Sequence, residues 1–344
     1  MDWARKLFMP KRALARPVVA LATILAAGSC RAGGTSFIVV EPTRPAPPAT
    51  TPVTHAASND SIVNARFQNV LFHVWPGVAL ELRDLLGRMH SQRTDGVVSF
   101  DDKHSFVLGI DTGVVGLPMS DLSTLMNTYV FAYQGAPLRD LEFTTEGTHL
   151  VQRGILHKGV DIPFEMVAEV SATADGQIRV HPVSMKICSI NGKGLMDALG
   201  ITLAKMLDVR EAKGVRVDKN DLLLDPAKVL PAPAIAGHLV GVAVEPGRLM
   251  QYFGAGTEHV SRVAMTPDTL AANYMLFRGG TLQFGKLFMV HADMQVVDAD
   301  PGDAFDFDIA RYREQLVAGY SRTLPDQGLL VFMPDLAKAQ ASAR

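Results

Sequence analysis

The stretch IPFEMVAEVSATADGQIRVH, residues 162–181, decides how the chain is read. Ile162, Phe164, Met166, Ala168 and Val170 alternate with Pro163, Glu165, Glu169 and Ser171, the period of a half-buried strand. Ala174-Asp175-Gly176 supplies turn chemistry, after which Ile178 and Val180 alternate with Arg179 and His181. The stretch therefore predicts a β-hairpin. Working outward, similar runs occur at 106–110, 141–143, 215–217, 222–224, 238–244, 282–289 and 294–297. Many are separated by short Gly-, Pro- or Asp-containing connections, which predicts antiparallel pairing, since parallel strands need long crossovers.

Two segments switch to helical spacing. After Pro118, with Ser120 as N-cap, Leu122, Leu125, Met126, Tyr129, Val130 and Tyr133 fall on one face, and Gly135 and Pro137 end the run. A second helix opens near Asn191 and carries Leu195, Ala198, Leu199, Leu203, Met206 and Leu207 on one side, stopping before Gly214. A weaker third covers Ile309 to Tyr320. The expected fold is α+β: a long, strongly curved antiparallel sheet wrapped around one or two amphipathic helices. It forms a single domain over residues 61–336, with a disordered tail at 337–344.

The N-terminus carries a different message. Arg5, Lys6, Lys11, Arg12 and Arg16 precede the apolar run VVALATILAAG, residues 18–28, which is shorter than the roughly 20 residues a membrane span needs. Ala27-Gly28-Ser29-Cys30 follows at once, small residues leading into a cysteine, as in a bacterial lipobox; the usual Leu is replaced by Ala27. Residues 1–30 read as a lipoprotein signal peptide with Cys30 as the lipid anchor. An ordinary signal peptide and an uncleaved anchor are the alternatives. Arg31 after the cysteine favours the outer membrane, with the domain facing the periplasm. Residues 31–60 include EPTRPAPPATTPVTHAASND (41–60), a Pro- and Thr-rich stretch without apolar period that predicts a disordered tether.

Composition excludes several classes. With 33 basic and 35 acidic residues there is no field to steer a polyanion, and the aromatics are not interleaved with basic residues, so nucleic acid is not an expected partner. There are two cysteines; with Cys30 acylated, Cys188 stands alone as a small buried hydrophobe, with no disulfide or cysteine-based metal site. The ten histidines are scattered singly, which gives no metal motif. Gly192-Lys193, Gly254-Ala255-Gly256 and Gly319-Tyr320-Ser321 each fall short of a phosphate-binding loop, a dinucleotide fingerprint and a nucleophile elbow. Asp101, Asp102 and His104 bring two carboxylates near an imidazole, the raw material of a hydrolase, but Asp and Lys between strands are ordinary loop residues. The acidic run DADPGDAFDFD, residues 298–308, reads as a solvated loop or a weak cation site, since Gly302 and the missing twelfth-position acid break the EF-hand spacing. No enzyme, cofactor or metal is expected.

The order of elements between about Leu117 and Val244 resembles a known family. Helix, strand, the hairpin IPFEMVAEVSATADGQIRV, the helix GLMDALGITLAKML, then GVRVDKNDLLL and LPAPAIAGHLVGVAV are similar to the tubular lipid-binding superfamily. Within it they look most like the bacterial phospholipid-binding proteins of the lipomannan-elongation type. The resemblance covers roughly 130 residues and includes no catalytic motif. It implies a bent sheet around a long helix with an apolar groove between them. Leu122, Leu125, Met126, Tyr129, Leu195, Leu199, Leu203 and Met206 would line that groove. The expected partner is a phospholipid or other acyl-chain lipid, each buried CH₂ contributing about 0.8 kcal/mol, and the 15 methionines supply adaptable lining. A scaffolding envelope lipoprotein with a filled interior is the alternative.

Overall fold

In a computed structural model, the chain is described over residues 61–187, 190–191, 203–254, 262 and 264–342. All of these lie within the compact unit His55–Arg344. The expected lipid anchor Cys30, the signal peptide, the tether, Cys188, Leu195 and Leu199 lie outside the described residues.

The domain begins with β1 (Ile62–Trp75), β2 (Val78–Ser91), β3 (Val97–Ser99) and β4 (Phe106–Pro118), followed by helix α1 (Met119–Leu125) and a π turn over Met126–Val130. A meander follows: β5 (Leu138–Glu146), β6 (His149–His157), β7 (Asp161–Ala172), β8 (Ile178–Ile187) and the two-residue β9 (Ile190–Asn191). Next come α2 (Leu203–Met206), β10 (Val215–Asp218), β11 (Asp221–Leu224) and α3 (Pro226–Val229). Strands β12 (Ala234–Glu245), β13 (Arg248–Gly254), β14 (Tyr274–Phe284), β15 (Leu287–Asp298) and β16 (Phe305–Asp308) lead to α4 (Tyr312–Ala318). The chain closes with β17 (Tyr320–Thr323), β18 (Leu329–Met333) and α5 (Leu336–Ser342). The end, expected as a tail, is therefore helical, and Ala339 is buried.

These strands form two sheets, and the expected single curved sheet around amphipathic helices is wrong. Strands hold 57% of the described residues against 13% in helices, so helices cannot form the core that a sheet wraps. Sheet A has eleven strands in the order β12-β13-β4-β2-β1-β14-β15-β18-β17, with β16 on β1 and β3 on β14. Sheet B has seven, in the order β10-β11-β8-β7-β6-β5, with β9 on β8. Sheet A absorbs the two flanking regions that the family resemblance left unassigned. Its pairing is also not purely antiparallel: β1–β16, β3–β14, β4–β12 and β15–β18 run parallel. Short connections said nothing about these, because each joins strands far enough apart in sequence to allow a crossover.

The hairpin read from residues 162–181 is present as β7–β8. Thr173 Oγ1 accepts the Gln177 N–H at 2.9 Å, the Gly176 N–H bonds the Thr173 carbonyl at 3.0 Å, and Gly176 takes a φ of 77°, which favours glycine. The core of sheet A is aromatic. Phe100, 2% exposed, has the rings of Phe106, Phe277, Phe284, Phe307 and Tyr312 within 6.0 Å of its own.

Helix α1 is shorter than the apolar stripe predicts. It starts at Met119, so Ser120 is inside the helix and is not its cap. The Ser123, Thr124 and Thr128 hydroxyls and the Asn127 amide each bond the carbonyl four residues back, which competes with the backbone ladder and loosens a helix. The last turn widens accordingly, and Phe131 N–H bonds the Met126 carbonyl five residues back. The same polar face holds sheet B. β5 is its edge, and the register slips between Arg139 and Glu142, freeing Leu141 from β6. Asn127 takes both backbone groups of Leu141, donating to its carbonyl at 2.7 Å and accepting its N–H at 2.9 Å. Ser123 accepts the Phe143 N–H at 2.9 Å.

Asn127→Ala would leave two backbone groups of an edge strand without their partner. Chemical denaturation should show a loss of about 1–3 kcal/mol. Thr124→Ala, which removes a half-exposed hydroxyl and methyl on the same helix but no bond to sheet B, should change stability by less than about 0.5 kcal/mol. Equal losses would show that Asn127 does not fasten β5.

Candidate functional site

Sheet B has one apolar face. Alternation along β6 puts Leu150, Gln152, Gly154 and Leu156 on it, and register carries the row of Gln152 across the sheet as Phe143, Gln152, Met166 and Met185. Two contiguous cavities lie against this face. The first, about 30 Å³, is walled by Ile162, Phe164, Met166, Met185 and Ile187 of the sheet and by Leu203, Met206 and Leu207. The second, also about 30 Å³, lies between Phe143, Leu150, Val170 and Val180 on the sheet and Leu122, Met126, Phe131 and Leu249 opposite. Leu138, Gln152 and Leu222 line both. The side chains close in on this space, and what stays open in each cavity is room for about two waters.

The expected groove residues divide three ways. Leu122, Met126, Leu203 and Met206 line the cavities. Leu125 is fully buried in the core and Tyr129 packs tilted against Trp75 at 5.2 Å, with the Lys213 ammonium 3.9 Å from its ring centre; neither lines the cavities. Leu195 and Leu199 are outside the described residues. Most of the wall comes from strands, which the helix-centred reading did not assign to a ligand.

The residue that reading missed altogether is Gln152. It is 4% exposed, and its side-chain amide forms no hydrogen bond among the described residues. The remaining lining of both cavities is apolar. Its signal in the sequence was a polar residue in register with Leu150 and Leu156, at a position where the strand pattern calls for an apolar one.

The cover of the first cavity is held at its rim. Lys158 Nζ donates to the carbonyls of Lys205 and Met206 at 3.1 and 3.3 Å, Asn220 Oδ1 accepts the Leu203 N–H at 3.0 Å, and the Ala204 N–H bonds the Lys219 carbonyl at 2.9 Å.

The polar clusters singled out in the sequence are built differently. Asp101 accepts from Tyr312 Oη and, at 2.8 Å, from Arg313 Nε; the guanidinium holds its carboxyl below the usual range. Burial and that same carboxylate raise Tyr312. Asp102 accepts the His104 N–H of its own turn at 2.9 Å, and no hydrogen bond among the described residues links either carboxylate to the His104 ring. These three residues fasten a loop and do not converge.

In the acidic stretch, Asp298 and Asp300 meet Asp335, each offering an oxygen within 4.8 Å of the others, a set able to hold a cation. Each also has a protein partner: Asn273 on Asp298 at 2.9 Å, Lys338 on Asp300 at 2.6 Å, and the Asp306 N–H on Asp335 at 2.9 Å. Burial, and then the charges of Asp298, Asp300 and Asp306, push Asp335 up to about 6.

Compared with known protein families, curated proteins and solved structures, the chain matches none.

A carboxyl with a raised pKa in the folded state binds its proton more tightly there than in the unfolded chain. Its contribution to stability is therefore greatest below its ordinary value of 3.8 and falls as pH rises to about 6. Asp335→Asn keeps an oxygen for the Asp306 N–H and removes the titration. It should raise the melting temperature by about 2–4 °C at pH 7 and leave it unchanged near pH 4. A variant that melts lower than the parent at pH 7 would mean that the charged form is the stabilising one.

Proposed function

We propose that the protein is an exported envelope lipoprotein that binds a phospholipid or other acyl-chain lipid between sheet B and its cover. The observation that carries this reading is the pair of contiguous cavities, apolar apart from Gln152, on the inner face of sheet B. Hydrocarbon in such a site needs little polar chemistry, and each CH₂ withdrawn from water contributes about 0.8 kcal/mol. Met166, Met185 and Met206 on the walls have unbranched, adaptable side chains that can part around a chain. The lipobox-like Ala27-Gly28-Ser29-Cys30 after an apolar run supports acylation at Cys30, and Arg31 supports an outer-membrane address facing the periplasm.

A second reading, a scaffolding envelope lipoprotein, is favoured by the narrowness of the cavities, which hold about two waters each as they stand. Met166→Trp separates the two. In a ligand site the indole takes the ligand's place, so lipid extracted with the full chain disappears from native mass spectra while the melting temperature holds. In a filled core the same change overpacks and costs about 1–3 kcal/mol, with no lipid to lose.

Cys30→Ser tests the anchor. The variant should move from the membrane fraction to the soluble periplasmic fraction. Retention on membranes after a carbonate wash would rule out acylation at Cys30 as the attachment.

A further inference from the structure

We propose that Gln152 is a polar anchor inside the sheet-B site, and that the ligand carries an acyl carbonyl, as ester or amide, between two hydrocarbon arms. This rests on the acyl-lipid reading above and narrows it to one class of lipid.

Three observations point the same way. First, Gln152 is 4% exposed and its amide forms no hydrogen bond among the described residues, a costly state for two donors and an acceptor. Second, the position is fixed. Gln152 lies at the middle of a strand pair on each side, opposite Phe143 on β5 and Met166 on β7. The side chain therefore belongs to the inner face by register, and a rotamer change does not take it out to water. Third, Gln152 lines both cavities, with hydrocarbon on either side: Phe164, Met185 and Leu203 in one, Leu122, Val170 and Leu249 in the other. A free carboxylate would bring an uncompensated charge into that setting, which is far costlier than a neutral dipole. An alkane would leave the amide unsatisfied. A neutral carbonyl in mid-ligand accepts from the Gln152 amide N–H, while its two arms occupy the two cavities. An amide linkage adds an N–H for Gln152 Oε1.

The test uses the full chain and three linear probes of matched length: octyl octanoate, N-octyl octanamide and heptadecane, each displacing a fluorescent fatty acid. The parent protein should bind the ester and the amide about tenfold more tightly than heptadecane, the size of effect one buried hydrogen bond gives. An amide tighter than the ester identifies the linkage with its own N–H. Gln152→Leu should bring all three affinities together at the level of heptadecane, with the melting temperature unchanged or higher, because an unpaired buried amide has been removed. Gln152→Met provides the same test with a more adaptable side chain should leucine disturb the sheet. A preference for the carbonyl probes that survives both substitutions overturns the assignment of Gln152 while leaving the lipid site standing. Lowered melting temperatures in both variants make Gln152 a structural residue and overturn it too. Failure of heptadecane itself to bind the parent overturns the acyl-lipid reading, and this inference with it.

Discussion

The contact on which the arrangement of the two sheets depends is the capture of one residue's backbone by one side chain. Leu141, freed from its neighbour by a bulge at the edge of sheet B, gives both its N–H and its carbonyl to Asn127 on α1. An edge strand without a partner exposes a row of such groups, and here α1 and its π turn supply side chains in place of a further strand. The same segment reaches sheet A. Asp121 accepts the Ala79 N–H at 2.9 Å, and Trp75 Nε1 donates to Thr128 at 3.2 Å. One short segment therefore clasps both sheets, and its apolar residues Leu122 and Met126 end up in the cavity wall because its polar residues are committed elsewhere.

The interior of sheet A is built around a cluster of aromatic rings. Sheet A closes over Phe67, Phe100, Phe277, Phe284, Phe305 and Phe307, rings with two side-chain torsions each, packed edge to face, tilted or stacked. Side chains of this kind fit one another in few ways. Sheet B turns leucines, isoleucines and two methionines, Met166 and Met185, inward around a single amide. Thioether chains have more rotamers and tolerate changes of shape. The apolar cavities lie against sheet B, while polar residues around sheet A, such as Asp101 with Arg313 and Tyr312, hold loops.

The parts of the fold governed by local rules were legible in the sequence. The β7–β8 hairpin follows from alternation and an Asp-Gly turn, and β10 and β11 follow from the same period at 215–224. The start of α1 was legible within two residues from Pro118. What stayed hidden was set by distant partners. Nothing in Val70–His73 says that Phe305–Asp308 will lie alongside, more than 200 residues later. The length of α1 was overestimated because apolar spacing continues to Tyr133 while Ser123, Thr124, Asn127 and Thr128 undo the ladder through their own hydrogen bonds. Four of the eight residues named from helical stripes line the cavities. The strand contribution could not be read in advance, because an apolar face of a strand looks the same whether it meets a core or a ligand. Gln152 was the exception, visible as a break in pattern and unexplained until its neighbours were known.

If the site takes an acyl chain, as proposed, the attachment of its cover bears on where that chain would enter. On one side of the site the clasp of α1 rests on backbone groups of β5, which costs two hydrogen bonds to open at once. On the other side, α2 is held through the exposed Lys158 ammonium, one asparagine side chain and one backbone bond to Lys219. An exposed lysine gives up little when it exchanges a carbonyl for water, since water competes on nearly equal terms. The hydrocarbon gained by a ligand, about 0.8 kcal/mol for each CH₂, exceeds that cost after a few carbons. Opening on the α2 side also leaves the contacts between α1 and the two sheets in place, so the domain need not unfold to admit a lipid. On the proposed lipid reading, the narrow space between the walls is the closed form of the site, and among the described residues the Lys158 rim is its more easily opened side.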